Sequence, residues 1–245
     1  MFGLIEAQKK RQPQKTQLPP EPRELVVKLD DGLCFDEFGR AVTSLLEDLL
    51  YRTSHIEQPV RRLDILREKL TPRNRAQFER LEKVLESIER LASSGTLAEV
   101  VLVQGSTISL AQYVTHIRLQ AARWNDNTNR HQDALKLSKL NLFRAVASVD
   151  DILAPTNGPR SAKCFLFVKV VSQCSSEATS IEGFEIRPTL PPSRAKCRTI
   201  FNLCQSTEIP KDESGAETDN EQSDSPAGVW YQLAQNLPSV SISSS

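Results

Sequence analysis

The chain has 245 residues, 39% of them hydrophobic and 25% charged, enough apolar material for one core of ordinary size with attached tails. Its 31 basic and 31 acidic residues cancel, which disfavours a wholly basic nucleic-acid binder. No apolar run approaches the roughly 18–20 residues of a spanning helix. Residues 1–23 lack the apolar stretch of a secretory signal, and five cysteines without CxxC spacing point away from a disulfide scaffold or closed zinc site and towards a reducing compartment.

Residues 1–23 set Lys9, Lys10, Arg11, Lys15 and Arg23 against Glu6 and Glu21, with Pro13, Pro19, Pro20 and Pro22 between them. This composition predicts a flexible arm. Residues 24–29 (ELVVKL) predict a short strand, closed by Asp30-Asp31-Gly32. Phe35, Phe38, Val42, Leu45, Leu46 and Leu49 then recur at three- and four-residue steps, which lays an apolar stripe along a helix from about 33 to 53. A second helix has marked ends, with Thr71 to cap it, Pro72 in its first turn and Gly95 to stop it. Phe78, Leu81, Leu85, Ile88 and Ala92 form its core face.

The period then changes. Val100-Val101-Leu102-Val103 is a continuous apolar run before Gly105 and predicts a buried strand. In 107–119, Tyr113, Thr115, Ile117 and Leu119 alternate with Val114, His116 and Arg118, a half-exposed strand. A polar loop, Trp124 to Thr128, precedes a third helix of roughly 129–150. Further strands are predicted at 163–171, about 181–187, 196–204 and 229–231. The fold class is α+β, three helices on one face of an antiparallel sheet.

Between Glu208 and Asp224 seven acids face only Lys211, so this block carries −6 and the rest of the neutral chain +6. Residues 206–227 are expected to form an acidic disordered loop, because they hold too little apolar surface to offset chain entropy. Residues 238–245 (PSVSISSS) are expected to be a disordered tail.

No dinucleotide fingerprint, P-loop, nucleophile elbow or HExxH motif is present in the sequence. His55, His116 and His131 lie more than four residues from one another and from any cysteine. His116 on a strand is a base in principle, but base work needs a placed partner. Cys164, Cys197 and Cys204 fall on predicted strands, where core filling is the expected role. No catalytic residues, cofactor or metal are assigned, and the chain is expected not to be an enzyme.

The third helix carries two apolar sides. At about 100° per residue, Leu135, Leu142, Val146 and Val149 gather into a core stripe. Leu140, Phe143 and Ala147 form a second ridge, fringed by Lys136, Lys139 and Arg144. Two readings are open: a wider core that swallows Phe143, or a partner-binding helix with an aromatic anchor and a charged rim.

Four stretches bear on that choice. They are Leu45-Leu46-Glu47-Asp48-Leu49-Leu50-Tyr51, then Val100 to Gly105 with Ile108 to Leu119, then Leu142-Phe143-Arg144-Ala145, and finally Arg187-Pro188 with Pro192-Ser193-Arg194, the strand to Cys204 and Val229-Trp230-Tyr231-Gln232. In order and spacing, over roughly residues 25–232, they resemble the comet family of Mad-two-binding silencers of the spindle assembly checkpoint. The resemblance implies a HORMA-like domain over 24–237, with a C-terminal seat-belt segment and no catalytic activity of its own. It implies an adaptor that binds the closed conformer of the checkpoint HORMA protein Mad-two through the third-helix face. The client is then presented to a hexameric AAA+ ATPase of the pachytene-checkpoint type, so that the mitotic checkpoint complex comes apart. It further implies residence in nucleus and cytoplasm, with spindle and kinetochore association in mitosis.

Phe143 matches the family's interface Phe. Arg52 stands at the interface position late in the first helix, where a member of that family has a Gln. Arg187 and Pro188 match the ATPase contact, although Thr189 follows where a basic residue is the pattern. The alternatives are a HORMA-type scaffold for a meiotic or autophagy client, an enzyme built on His116 or His55, and nucleic-acid binding through the N-terminal arm.

Overall fold

The computed structural model describes residues 21–30, 33–119, 131–149, 163–171, 181–191, 195, 197–205 and 228–242. Most of the N-terminal arm, the polar loop at Trp124–Thr128, the acidic segment 206–227 and Cys174 lie outside them.

Seven strands form one sheet. They are β1 (Arg23–Leu29), β2 (Leu97–Gly105), β3 (Ala111–Leu119), β4 (Lys163–Val170), β5 (Phe184–Arg187), β6 (Cys197–Gln205) and β7 (Val229–Leu233). Their order is β1-β6-β3-β2-β4-β7-β5. Three long helices, α1 (Phe35–Arg52), α3 (Pro72–Ser93) and α4 (His131–Ala147), correspond to the three predicted ones. A six-residue helix, α2 (Val60–Ile65), was not expected from the sequence, being too short to show a period.

The α+β class holds, but the sheet is mixed and not antiparallel throughout. β6 enters between β1 and β3 and runs parallel to both, with Leu25 opposite Phe201 and Ile117 opposite Phe201. The reason is connectivity. Tight hairpins enforce antiparallel pairing, as for β2 and β3, whereas the chain between β3 and β6 contains α4, β4 and β5 and is long enough to return in the same direction.

Both faces of the sheet are covered at its centre. On one, Val100, Leu102, Ile117, Leu166, Phe201 and Tyr231 pack with the apolar stripes of α1, α3 and α4. On the other, Val101, Val103, Val114 and Phe167 form a smaller cluster with Leu190 and Ala195 from the segment that joins β5 to β6. Two-sided burial explains why β2 and β4 read as unbroken apolar runs. Cys164 is wholly buried in the larger cluster, and burial pushes its thiol up to about 12. The second helix has the expected ends: Thr71 Oγ1 accepts from the Asn74 amide at 3.3 Å, and Gly95 takes φ +70°.

α4 lies over β1 and against α1. Ser138 Oγ accepts from the Asp30 amide at 2.9 Å, Asn141 Nδ2 donates to the Lys28 carbonyl at 3.1 Å, and an Arg23 guanidinium nitrogen donates to the Ser148 carbonyl at 2.9 Å. These bonds run along one side of the helix and set its rotation, so that Leu142, Val146 and Val149 are buried.

The expected disordered tail, 238–245, is a second correction over 238–242, while 243–245 lie outside the described residues. Residues 238–242 are described, and Val240 is buried and bridges Ile56 in parallel. The PSVSISSS composition suggested fraying, yet Val240, and Leu237 just before the segment, are buried in the main core cluster, and this anchors the backbone. His55 Nε2 donates to the Leu237 carbonyl at 3.1 Å.

His55 is buried, and desolvation lowers its pKa below the usual 6.5. As pH falls, the unfolded chain takes up a proton before the folded one. The stability due to neutral His55 is therefore whole above about 6.5 and declines below it. Thermal melts between about pH 7.5 and 5 should show this loss, and His55→Gln, which keeps a neutral donor, should flatten it. A wild-type melting temperature that stays level over the interval would contradict the assignment.

Candidate partner-binding face

The second ridge of α4 faces solvent. Phe143 is 43% exposed and Leu140 44%, and Ala147 is exposed as well, so the core does not swallow them. Leu137, at 46%, extends the ridge by a turn. Beside it the C-terminal half of α1 presents Tyr51, 42% exposed. Phe143 and Tyr51 both line a groove of about 370 Å³ between α4, α1 and the start of α2, to which Val60 adds an apolar wall.

The charged residues of this face differ in setting. Lys136 is exposed and pairs loosely with Asp133 at 3.4 Å, and Arg144 is exposed. Lys139 lines the groove, where burial pulls its pKa down and the nearby Arg61 adds to that, while Glu47 pulls the other way. Glu47, on the groove wall from α1, is raised by burial and held back by Arg61 and Lys139. The groove thus holds opposed charges that are already partly desolvated. Arg52 is half-buried, with its Nε 2.8 Å from Asp48 Oδ2, one turn back on α1. It therefore braces the end of α1 next to Tyr51.

Leu137 and Tyr51 were missed in the sequence reading, and the signal for Tyr51 was present. An aromatic set two residues beyond Leu49 falls off the apolar stripe of α1, so the core does not account for it. The groove itself depends on α2 and had no local signature.

Arg187 and Pro188 lie elsewhere. Arg187 ends β5, an edge strand, and one of its terminal nitrogens is 3.3 Å from Glu185. Its Nε is closed off from solvent with no acceptor among the described residues. Pro188 is exposed. α4 covers β1 at the opposite edge, six inter-strand gaps away, which at about 4.8 Å each is roughly 29 Å.

His116 does meet an acid, one that its sequence neighbours do not supply. Its Nδ1 donates to Glu99 Oε1 at 2.7 Å, and Arg118 approaches the same oxygen at 3.6 Å. The pair is diagonal across β2 and β3, where Val101 faces His116 and Glu99 faces Arg118, so it is visible only once the register is known. The residues directly beside His116 are Val101 and Ile200. No described group of three or more His, Cys, Asp or Glu is placed to hold a metal ion, and no described helix is long and apolar enough to cross a membrane. No protein-family model and no curated protein matches the chain.

Two neighbouring residues of α4 separate surface from core. Leu142→Ala should cost about 2–5 kcal/mol of stability, as a buried leucine does. Phe143→Ala should stay within about 1 kcal/mol of wild type, because nearly half of that side chain is already in water. Urea unfolding of both variants checks this, and equal losses would mean that Phe143 belongs to the core.

Proposed function

We propose that the chain is a non-enzymatic, comet-type adaptor with a HORMA-like fold, which binds the closed conformer of Mad-two through the α4–α1 face and presents it to a pachytene-checkpoint-type AAA+ ATPase. The observation that carries the reading is the aromatic ridge at Phe143. It is the residue the resemblance assigns to the interface, and it lies exposed on a helix whose other side is fully used by the core. The fold part is supported by three long helices on one sheet face and by a C-terminal chain that visits both halves of the sheet, from β5 at one edge to β6 beside β1 and back to β7. That path suits a seat-belt segment.

Magnitudes limit what the ridge does alone. Fully burying a large apolar side chain is worth about 1.5–3 kcal/mol, so four that are already half-covered supply roughly 4 kcal/mol in all. Association itself costs about that much or more. The ridge therefore sets where the partner docks, and the surrounding contacts, by excluding water, complete the affinity. Selection of one conformer needs contacts available only in that conformer. A rigid helix face that meets a surface assembled on client closure provides this, and the energy for reopening the client comes from ATP on the partner enzyme. Placing the ATPase contact at Arg187 and Pro188, an edge away from α4, lets client and ATPase be held together.

Size-exclusion chromatography with Mad-two locked closed or locked open tests the proposal. Co-elution with the closed form alone is expected, and Phe143→Ala should weaken it about five- to tenfold while the fold persists. Arg187→Ala should retain the client and lose ATPase-dependent release. Equal binding to both conformers would overturn the selection argument, and binding instead to another closure-motif client would assign a different HORMA-type scaffold.

A further inference from the structure

The chain end is tied to the segment that shapes the groove. Between α1 and α2, Ile56 bridges Val240, and the Glu57 amide donates to the Val240 carbonyl at 3.1 Å. The Ile242 amide in turn donates to Glu57 Oε2 at 2.7 Å. The same stretch is gripped from α3, where Asn74 Nδ2 donates to the Ser241 carbonyl at 2.6 Å and an Arg80 guanidinium nitrogen to the Asn236 carbonyl at 2.8 Å. Its other side is bonded to the sheet, where the Leu237 amide donates to the Cys164 carbonyl at 2.8 Å.

The held segment leads straight into the groove. Pro59 follows Glu57 by two residues, and its carbonyl accepts from the Arg62 and Leu63 amides to start α2. Val60 and Arg61 then line the groove opposite Phe143. α2 has only six residues and no side-chain cap, so it draws little order from its own turns. Its fixed points are the buried Leu63, the Arg67 contacts with Glu82 and the Phe78 ring just beyond it, and the strapped Ile56–Glu57 just before it.

We infer that residues 236–242 are a positioning strap for the partner groove: while docked they hold the α1–α2 connection so that Val60 and Arg61 stand against Phe143 and Tyr51, and release of the strap loosens the groove without disturbing the ridge on α4. Its consequence for affinity rests on the proposed adaptor function. Its consequence for the groove does not. The strap brings no new contact to the partner. It acts through α2, which makes Val240, Glu57 and Asn74 positioning residues.

Amide hydrogen exchange on the full chain reads the coupling without any partner. In Val240→Asp, which places a carboxylate at a buried position, exchange at Ile56–Leu63 should accelerate about tenfold or more, while α4 and the sheet amides keep their wild-type protection. Glu57→Ala removes an exposed acceptor and serves should Val240→Asp fail to fold. The same pattern is expected there at smaller amplitude. Titration with locked-closed Mad-two should then show about tenfold weaker binding for Val240→Asp at an unchanged Phe143 contribution. Faster exchange confined to 236–242, with 60–63 unaltered, would overturn the inference, as would unchanged exchange in both segments. Wild-type chain that fails to bind closed Mad-two refutes the adaptor function and leaves the exchange result to decide the strap.

Discussion

Helix α4 has more apolar surface than the described part of its own domain covers, and its docking on β1 and α1 decides which part is left out. Its rotation is not free. Ser138, Asn141 and the Ser148 carbonyl are bonded to β1 and its flanking residues, and Leu142, Val146 and Val149 fill the space above that strand and α1. Turning the helix to bury Phe143 would break these bonds and lift three aliphatic side chains into water, a loss of several kcal/mol for a gain of about one. The exposed ridge is thus a consequence of packing and carries no strain. Such a surface persists in a monomer only if it is small, as this one is, and it marks a place where covering by another molecule is favourable.

Much of this was legible in the sequence, for reasons that differ by element. The three long helices declared themselves through period and through their ends at Thr71, Pro72 and Gly95, and the two apolar sides of α4 followed from a helical wheel. β2 and β4 were legible because strands buried on both faces lose the alternation and become continuous runs. What failed was information that resides in pairing. That β6 runs parallel to its neighbours depends on where a strand of nine residues finds a gap in a sheet, and its own sequence is the same for either direction. The Glu99–His116 pair hid for the same reason, being seventeen residues apart and brought together by a register.

The candidate site was half legible. Phe143, Leu140 and the basic fringe came from one helix and could be read from it. The groove that gives the ridge a boundary needs α1, α2 and α4 together, and α2 is too short to predict. Tyr51 shows what a stricter reading would have caught, since an aromatic off the stripe of an amphipathic helix has no core to enter. The end of the chain misled in the opposite sense. Serines at 239, 241 and 243–245 dominate its composition, but Val240, with Leu237 just before it, is buried in the main core, and that is enough to dock the described part.

Neutral overall charge also takes on a meaning once the surfaces are located. With the acidic block set apart, the remaining chain is +6, yet the α4 face is no simple basic patch. Lys139 and Arg61 share the groove with Glu47, and Arg52 is committed to Asp48. Pairs of this kind add little net attraction, because each cation brings an anion with it. They fix orientation instead, since a partner that misaligns strands one member of a half-desolvated pair. In the proposed adaptor, an apolar ridge beside a groove of opposed charges would bind with a shallow dependence on salt and tolerate few ways of docking. Both properties would suit the proposed recognition of one conformer of a protein, where the competing conformer has the identical sequence and differs only in the placement of its surface.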